Sequence, residues 1–133
     1  MKLFPLFVLL AVFIGTSAFT TTETITPPQW EKLGERKVNR KVDRDEILVT
    51  ARDGRFSKIK IGVRRSGINM HRCVIHFANG GKQEVNIRKN IPAGSSTRVI
   101  DINGGKRVIK KVVFWYDTKG LQDKAVVALW GRH

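Results

Sequence analysis

The chain has 133 residues, of which 41% are hydrophobic and 27% charged, and its formal net charge is +14. Its one cysteine, Cys73, excludes an internal disulfide framework, so the fold must be held by an apolar core. The basic excess lies almost wholly in residues 31–111 and points to polyanionic partners such as polysaccharide, lipid headgroups or nucleic acid.

The N-terminus has the three regions of a secretory signal peptide. Lys2 precedes the apolar run 3–14, and small residues follow in Gly15-Thr-Ser-Ala18. A membrane-spanning helix needs about 20 apolar residues, which is more than this run offers. We expect a signal peptide over residues 1–18, cleaved after Ala18 with Ser17 as an alternative, and hence a secreted or periplasmic protein.

The rest of the chain predicts a short leader and one domain. Residues 19–29 are rich in threonine and contain Pro27-Pro28, a composition typical of a flexible segment with little to bury. Residues 30–133 are enough for one hydrophobic core and too few for two domains.

This domain shows strand patterns from end to end. Besides three segments in which apolar and polar residues alternate, it has apolar stretches at 46–51, 98–102, 108–116 and 125–130, and glycine-containing turn signals separate them. We therefore predict an all-β fold, a single antiparallel β-sandwich of jelly-roll or immunoglobulin-like type with seven to nine strands. The residues that alternate with polar neighbours are Ile59, Ile61 and Val63, then Cys73, Ile75 and Phe77, then Val85 and Ile87.

Two glycine-rich turns predict hairpins. A three-residue loop over 79–81 would pair Phe77 with Gln83 and Ile75 with Val85, which places apolar residues opposite each other. By analogy, the turn at 103–105 would pair Val99 with Ile109. It would also pair Asp101 with Arg107, which predicts a cross-strand ion pair rather than a catalytic couple.

One cluster contains metal-ligand residue types. His71, Cys73 and His76 fall within six residues, and zinc favours such side chains. On a strand, however, His71 and Cys73 would point to one side and His76 to the other, so the three cannot meet one ion. We predict no metal site and no cofactor.

The sequence offers no recognisable catalytic motif. It has no Gly-x-Ser-x-Gly segment, its acidic residues are scattered, and its serines fall in or beside predicted turns. We predict that the protein is not an enzyme, although a site assembled in space would escape this reasoning.

Basic and aromatic side chains are the candidates for binding. Trp115 and Tyr116 are neighbours on one strand, so one faces the core and the other can stack on a ring. Trp30 and Trp130 lie near the two ends of the domain and could pack where these ends meet. The anion-binding candidates are Arg64, Arg65, Arg88, Lys89, Arg98, Lys110 and Lys111.

Several short motifs resemble those of a family of small secreted bacterial proteins known only as a domain of unknown function. The resemblance covers about residues 30–132 and implies an envelope or secreted β-sandwich, with no assigned activity or site. The motifs are Trp30-x-x-Leu33-Gly34, Phe77-x-Asn79-Gly80, Ile91-Pro92-x-Gly94, Arg98-x-Ile100-Asp101, Arg107-x-Ile109 and Trp130-Gly131-Arg132.

Three functions remain open at this stage. The leading hypothesis is that the protein binds an anionic envelope or extracellular polymer, such as a polysaccharide or lipid headgroups at a membrane surface. The alternative is a structural or protein-interaction module of the cell envelope, and the third is a hydrolase of envelope polymers. Specific nucleic-acid binding does not suit an exported protein.

Overall fold

The computed structural model describes residues 29–38, 41–117 and 125–133. In this part of the chain nine strands form two antiparallel sheets, which confirms the predicted all-β sandwich and its strand number. The strands are β1 (Glu31–Lys37), β2 (Arg44–Leu48), β3 (Arg55–Phe56), β4 (Lys58–Arg64), β5 (Ile68–Phe77), β6 (Lys82–Ile91), β7 (Ile100–Asp101), β8 (Arg107–Tyr116) and β9 (Val126–Arg132).

The first sheet has the strand order β1-β9-β4-β7, and the second has the order β2-β8-β5-β6 with β3 also paired to β8. A single 3₁₀ turn, Ala51–Asp53, lies between β2 and β3. The described residues contain no helix with the length and apolar character needed to cross a membrane. The predicted signal peptide and all but the last residue of the predicted leader lie outside the described residues.

The core lies between the two sheets and is built by alternation along the strands. In β4 the residues Ile59, Ile61 and Val63 are at most 3% exposed, while their neighbours face away from the core. In β8 the inward side chains Phe114 and Tyr116 are equally buried, and their rings pack 5.7 Å apart. The period-2 pattern therefore assigns each strand one apolar and one outer face.

The β5–β6 hairpin corrects one predicted register. The Phe77 N–H donates to the Gly81 carbonyl, so the loop is 78–80, with Gly80 in the left-handed region at φ 95°. Ile75 consequently pairs with Gln83 rather than with Val85, and the predicted pairing is wrong by two residues. A shift of two keeps every side chain on its face, so the predicted core residues remain in the core.

The second predicted hairpin is wrong. β7 pairs with β4 in the first sheet, whereas β8 belongs to the second sheet, so the turn at 103–105 crosses between sheets. Asp101 pairs with Lys58 instead of Arg107, and their side chains form an ion pair. The Arg107 guanidinium lies 3.5 Å from the Phe77 ring centroid. A glycine-rich turn thus predicted a reversal of the chain but not which sheet received the next strand.

Candidate functional site

The outer face of the first sheet combines a row of cations with an aromatic side chain. Its cations outnumber its carboxylates, which are Glu35 and Asp101, and it also bears one tryptophan. We call this surface the Trp130 face. Its outward residues are Lys32, Glu35 and Lys37 on β1, Val126, Ala128, Trp130 and Arg132 on β9, Lys58, Lys60, Gly62 and Arg64 on β4, and Asp101 on β7.

A groove of about 420 Å³ lies on this face, and we call it the Trp130 groove. Two indoles, those of Trp30 and Trp130, line it, and its floor includes the small residues Gly62 and Ala128. The other lining residues are Lys32, Lys60, Val63, Arg64, Gly94, Ser95 and Ser96.

Trp130 lies in the middle of a row of cations. In the strand registers it pairs with Lys32 on β1 and with Lys60 on β4, so a lysine flanks the indole on each side. Along the sheet, a Cβ added to Gly62 would lie 3.3 Å from Trp130 Nε1. The indole therefore uses the space that the missing side chain of Gly62 leaves.

Trp30 places a second aromatic ring over the same row. The Lys60 Nζ atom lies 4.5 Å from the Trp30 ring centroid, and the Arg132 guanidinium lies 5.9 Å from it. Lys60 therefore makes a cation–π contact with the Trp30 indole and is the register neighbour of Trp130.

Another side of the groove is formed by a loop, residues 94–97, that is held against β4 by backbone hydrogen bonds. Gly94 N–H donates to the Val63 carbonyl over 2.8 Å, and Val63 N–H donates to the Ser95 carbonyl over 2.9 Å. Thr97, which is 5% exposed, accepts a hydrogen bond from the Ile61 N–H through its hydroxyl. These bonds fix the position of the two adjacent serines, Ser95 and Ser96, at the rim.

Glu35 is not one of the lining residues, but it bonds two of the cations that are. The Lys32 Nζ atom lies 2.6 Å from Glu35 Oε2, and Arg64 Nη2 lies 3.2 Å from both carboxylate oxygens. The hydrogen bonds from Lys32 and Arg64 lower the pKa of the Glu35 carboxyl below its ordinary value. Glu35 is therefore ionised at neutral pH and is a poor proton donor.

Of the remaining cations of the face, Lys58 pairs with Asp101, and the other three have no such partner in the described part of the chain. Within the described residues no carboxylate lies at ion-pair distance from Lys37, Lys60 or Arg132. These three charges are available to an anionic ligand.

The outer face of the second sheet is different, although it also carries a tryptophan between two cations. The Arg72 guanidinium lies 3.8 Å from the Trp115 ring centroid and that of Arg44 lies 5.7 Å from it. Here the cations meet carboxylates: Arg72 bonds Glu84, and Arg44 lies near Glu46. Arg72 covers one side of the Trp115 ring, so the cations beside this tryptophan are paired and the ring offers less free aromatic surface.

The structure disperses the anion-binding candidates predicted from the sequence. Arg64 lines the Trp130 groove, and Arg65 follows it in a left-handed turn with φ 74°. Arg88 and Lys89 lie on β6, at an edge of the second sheet, and Arg98 donates to the Asn86 carbonyl there. Lys110 and Lys111 lie on β8, where Lys111 bonds Glu46.

Of the two aromatic candidates, only Trp115 is accessible. Tyr116 is 1% exposed and packs in the core, so its ring cannot meet a ligand. Sequence reasoning placed Trp30 and Trp130 near each other without recognising them as parts of a groove. The signal that could have found it is the outward series Lys58, Lys60, Gly62 and Arg64, where one glycine interrupts a row of cations.

The predicted orientation of the histidine and cysteine cluster is wrong in one respect. The register of β5 shifts between Met70 and Arg72, so His71 is exposed while Cys73 is fully buried. A bulge moves one residue to the other face, which separates these side chains. Over the described ranges, no group of three or more histidine, cysteine or acidic side chains is placed to hold a metal ion.

Comparison with protein families gives a match over residues 6–131, nearly the whole chain, to the family described as "Domain of unknown function (DUF2541)". The chain belongs to this family. The resemblance read from its turn and core motifs is thereby confirmed, and the match extends further towards the N-terminus than those motifs do. None of the curated proteins matches the chain.

Among solved structures, the chain is similar to one described as "Structural and functional characterization of Pseudomonas aeruginosa AlgX". The TM-score is 0.52 at 12% sequence identity, and the match covers 75% of this chain and 26% of that one. At this identity the similarity concerns the fold alone. The sandwich described here thus corresponds in fold to about a quarter of that larger protein.

Proposed function

We propose that this protein binds an anionic polysaccharide in the Trp130 groove. The observation that supports the proposal is the position of Trp130 between Lys32 and Lys60, beside a floor made of Gly62 and Ala128. The groove of about 420 Å³ that this indole lines leaves room for a flat ring. The lysines offer charge at either side of that ring.

The chemistry of the groove fits an acidic sugar. The apolar face of a pyranose ring packs on an indole, as other rings do in binding grooves. Lysine supplies a point charge to a carboxylate or sulfate, and the Arg64 guanidinium supplies a planar pair of donors. Trp130 offers an aromatic surface to the sugar ring, while Trp30 carries the Lys60 ammonium over its own ring.

A lipid surface fits the groove less well than a polysaccharide does. Membrane-binding faces insert apolar side chains among the headgroups. On the Trp130 face the aliphatic residues Val126 and Ala128 are each 6% exposed, so they offer little to insert. Headgroup binding is therefore an outcome that the test must separate from polymer binding.

The proposal is for binding without catalysis. Glycoside hydrolysis requires a carboxylic acid that donates a proton to the leaving oxygen. No described carboxylate is among the lining residues, and Glu35, which bonds two of the lining cations, is held ionised by Lys32 and Arg64. The serines of the rim, Ser95 and Ser96, have no histidine among the residues that line the groove.

The compartment is part of the proposal. The signal peptide expected over residues 1–18 would place the protein in the periplasm or outside the cell, where acidic polysaccharides are exposed. Edman or mass-spectrometric sequencing of the exported protein should find its N-terminus at Phe19 or, with the alternative cleavage, at Ala18.

The test compares polygalacturonate with its methyl ester, which has the same backbone without the charge. We expect binding of polygalacturonate that weakens as salt is raised, and little binding of the ester. Lys60→Ala should weaken binding several-fold. Lys82→Ala removes the same charge from the outer face of the other sheet and should leave the affinity within about twofold, as expected of a rim charge outside the site.

Three results would contradict the proposal. Equal losses in the two lysine variants would indicate a diffuse charge effect. Binding to anionic vesicles without binding to polygalacturonate would indicate lipid headgroups. Association that does not respond to salt would favour a protein-interaction module of the envelope.

A further inference from the structure

The carboxylate of Glu35 lies beside the Trp130 groove and bonds two of the cations that line it, Lys32 and Arg64. Glu35 pairs in register with Ala128, which in turn pairs with Gly62, so it stands at the end of the row of small residues. Arg64 lies on β4, with β9 between it and Glu35. The ion pair between them therefore spans β9 at the edge of the groove floor.

We propose that Lys32 and Arg64 form the acid-group subsite of this groove, that Glu35 occupies the subsite in the free protein, and that the carboxylate of a uronic acid residue takes its place on binding. This inference rests on the proposed function and names the substrate class more closely. The polymer would be a polyuronate, with its sugar ring on Trp130 and its acid group between the two cations.

The contacts of Glu35 show which group the subsite accepts. Both of its oxygens lie 3.2 Å from Arg64 Nη2, and one of them also lies 2.6 Å from Lys32 Nζ. The chemical group held by the two cations is thus already a carboxylate. A uronate carboxylate has the same charge, size and planar shape, so it can reproduce these bonds.

Exchange is physically accessible because the three side chains are exposed. The side-chain exposures of Lys32, Glu35 and Arg64 are 42%, 37% and 48%. Exposed ion pairs contribute little net stability, since water solvates the separated charges well. Glu35 can therefore rotate into solvent at small cost while its cations bond the ligand.

The consequence is competition inside the protein. Glu35 is tethered next to the subsite, so its effective concentration there is high and the ligand must displace it. Removing its charge should strengthen binding. A glutamate that only positioned the two cations would have the opposite effect, because its loss would leave them free to move.

The experiment measures the affinity for polygalacturonate of the wild-type protein and of Glu35→Gln, which keeps the shape and removes the charge. We expect Glu35→Gln to bind about three- to fivefold more tightly, in line with the small energy of an exposed pair. Arg64→Ala should bind more weakly than wild type. Urea unfolding of each variant shows whether the fold is retained.

A charge-matched control separates the effect of the subsite from the effect of the protein's net charge. Glu84→Gln removes one carboxylate from the second sheet, where Glu84 bonds Arg72, and raises the net charge equally. Its affinity should stay within about 1.5-fold of wild type, since exposed charges beyond a Debye length are screened. An equal gain in Glu84→Gln, or weaker binding by Glu35→Gln, would overturn the inference.

The same measurements distinguish this inference from the proposed function. If wild-type protein binds no polygalacturonate, the proposed function itself fails. If wild type binds but Glu35→Gln gives no gain, the groove binds the polymer and only the exchange of Glu35 is wrong. The same affinities should also be measured for dextran sulfate. If Glu35→Gln bound only the sulfated polymer more tightly than wild type, a carboxylate subsite would be contradicted.

Discussion

Gly62 and Trp130 are packed so closely that a single added methyl group would disturb the indole. A Cβ at Gly62 would lie 3.3 Å from Trp130 Nε1, which is tighter than ordinary van der Waals contact. The absence of a side chain on β4 therefore fixes where the ring lies on the outer face of the sheet.

Gly62→Ala should consequently weaken polysaccharide binding without unfolding the protein. The new methyl group would push the Trp130 ring by a few tenths of an ångström and narrow the groove. Alanine is favoured over glycine in a strand by about 0.5–1 kcal/mol, which offsets the crowding. Polygalacturonate affinity should fall while the urea midpoint stays close to that of wild type. An unchanged affinity would show that the ring position is not important.

Gly131→Ala should instead lower the free energy of unfolding, because Gly131 faces the core. A Cβ there would lie 2.7 Å from Phe56 Cδ1 and 2.8 Å from Leu33 Cδ1, and core atoms have little room to move. Overpacking of this kind costs about 1–3 kcal/mol of unfolding free energy. Urea unfolding measures the loss, with Gly62→Ala as the control for a glycine on the other side of the same sheet. Wild-type stability would contradict the packing described here.

The sequence predicts which face of a strand is buried but not which strands are neighbours. Alternation along β4 and β8 predicts the core faces correctly, since a residue buried on one side requires its neighbours to face the other. The same local pattern cannot say which strands are adjacent in space. Asp101 was therefore assigned to Arg107, whereas it meets Lys58 in another sheet.

The candidate site was less predictable than the fold for the same reason. Its parts come from β1, β4, β9 and the loop near Ser95, which are distant in the sequence and adjacent only after the sheet forms. Charge density alone selected Arg88 and Lys89, which lie on the other sheet. Arg64 was predicted because it is charged, but its role depends on Glu35, a residue that no local motif connects to it.

The Cys73 thiol should be unreactive in the folded protein. It is fully buried, and burial raises the pKa of the thiol to about 12, so the thiolate that reacts with reagents is scarce. An aromatic disulfide reagent at mildly alkaline pH should label the protein only as urea unfolds it. Cys73→Ala provides the blank. Rapid labelling in native buffer would show that the core opens at this position.

His76 should make the folded state less stable as the pH falls. Partial burial, then the charges of Lys111 and Lys82, and in smaller part Lys110, lower the pKa of His76 from its ordinary value of 6.5, against the opposing effect of Glu46. Because the unfolded chain takes up a proton before the folded one, stability is lost as the pH falls through 6.5 towards the lower folded value. The loss is complete once the pH is below both.

The measurement for His76 is urea unfolding of wild type and His76→Asn between about pH 7.5 and pH 5, the interval in which an ordinary histidine titrates. The difference between the two free energies of unfolding removes the contribution of all other groups. We expect the wild type to lose stability relative to the variant on acidification. A difference that is constant with pH, or that changes in the other direction, would contradict the environment described for His76.

The two outer tryptophans should separate binding from stability. Trp130→Ala removes an aromatic platform beside free cations, and the loss of such stacking corresponds to affinity that is about tenfold weaker. Trp115→Ala should leave the affinity almost unchanged. It should instead lower the unfolding free energy by about 0.5–1 kcal/mol, because the Arg72 guanidinium that packs 3.8 Å from the ring centroid loses its contact. Affinity for polygalacturonate and urea unfolding of both variants provide the comparison. If the two variants lost affinity equally, the choice of the Trp130 face over the opposite face would be wrong, since each tryptophan lies between two cations and the arginine packed on Trp115 is what distinguishes them.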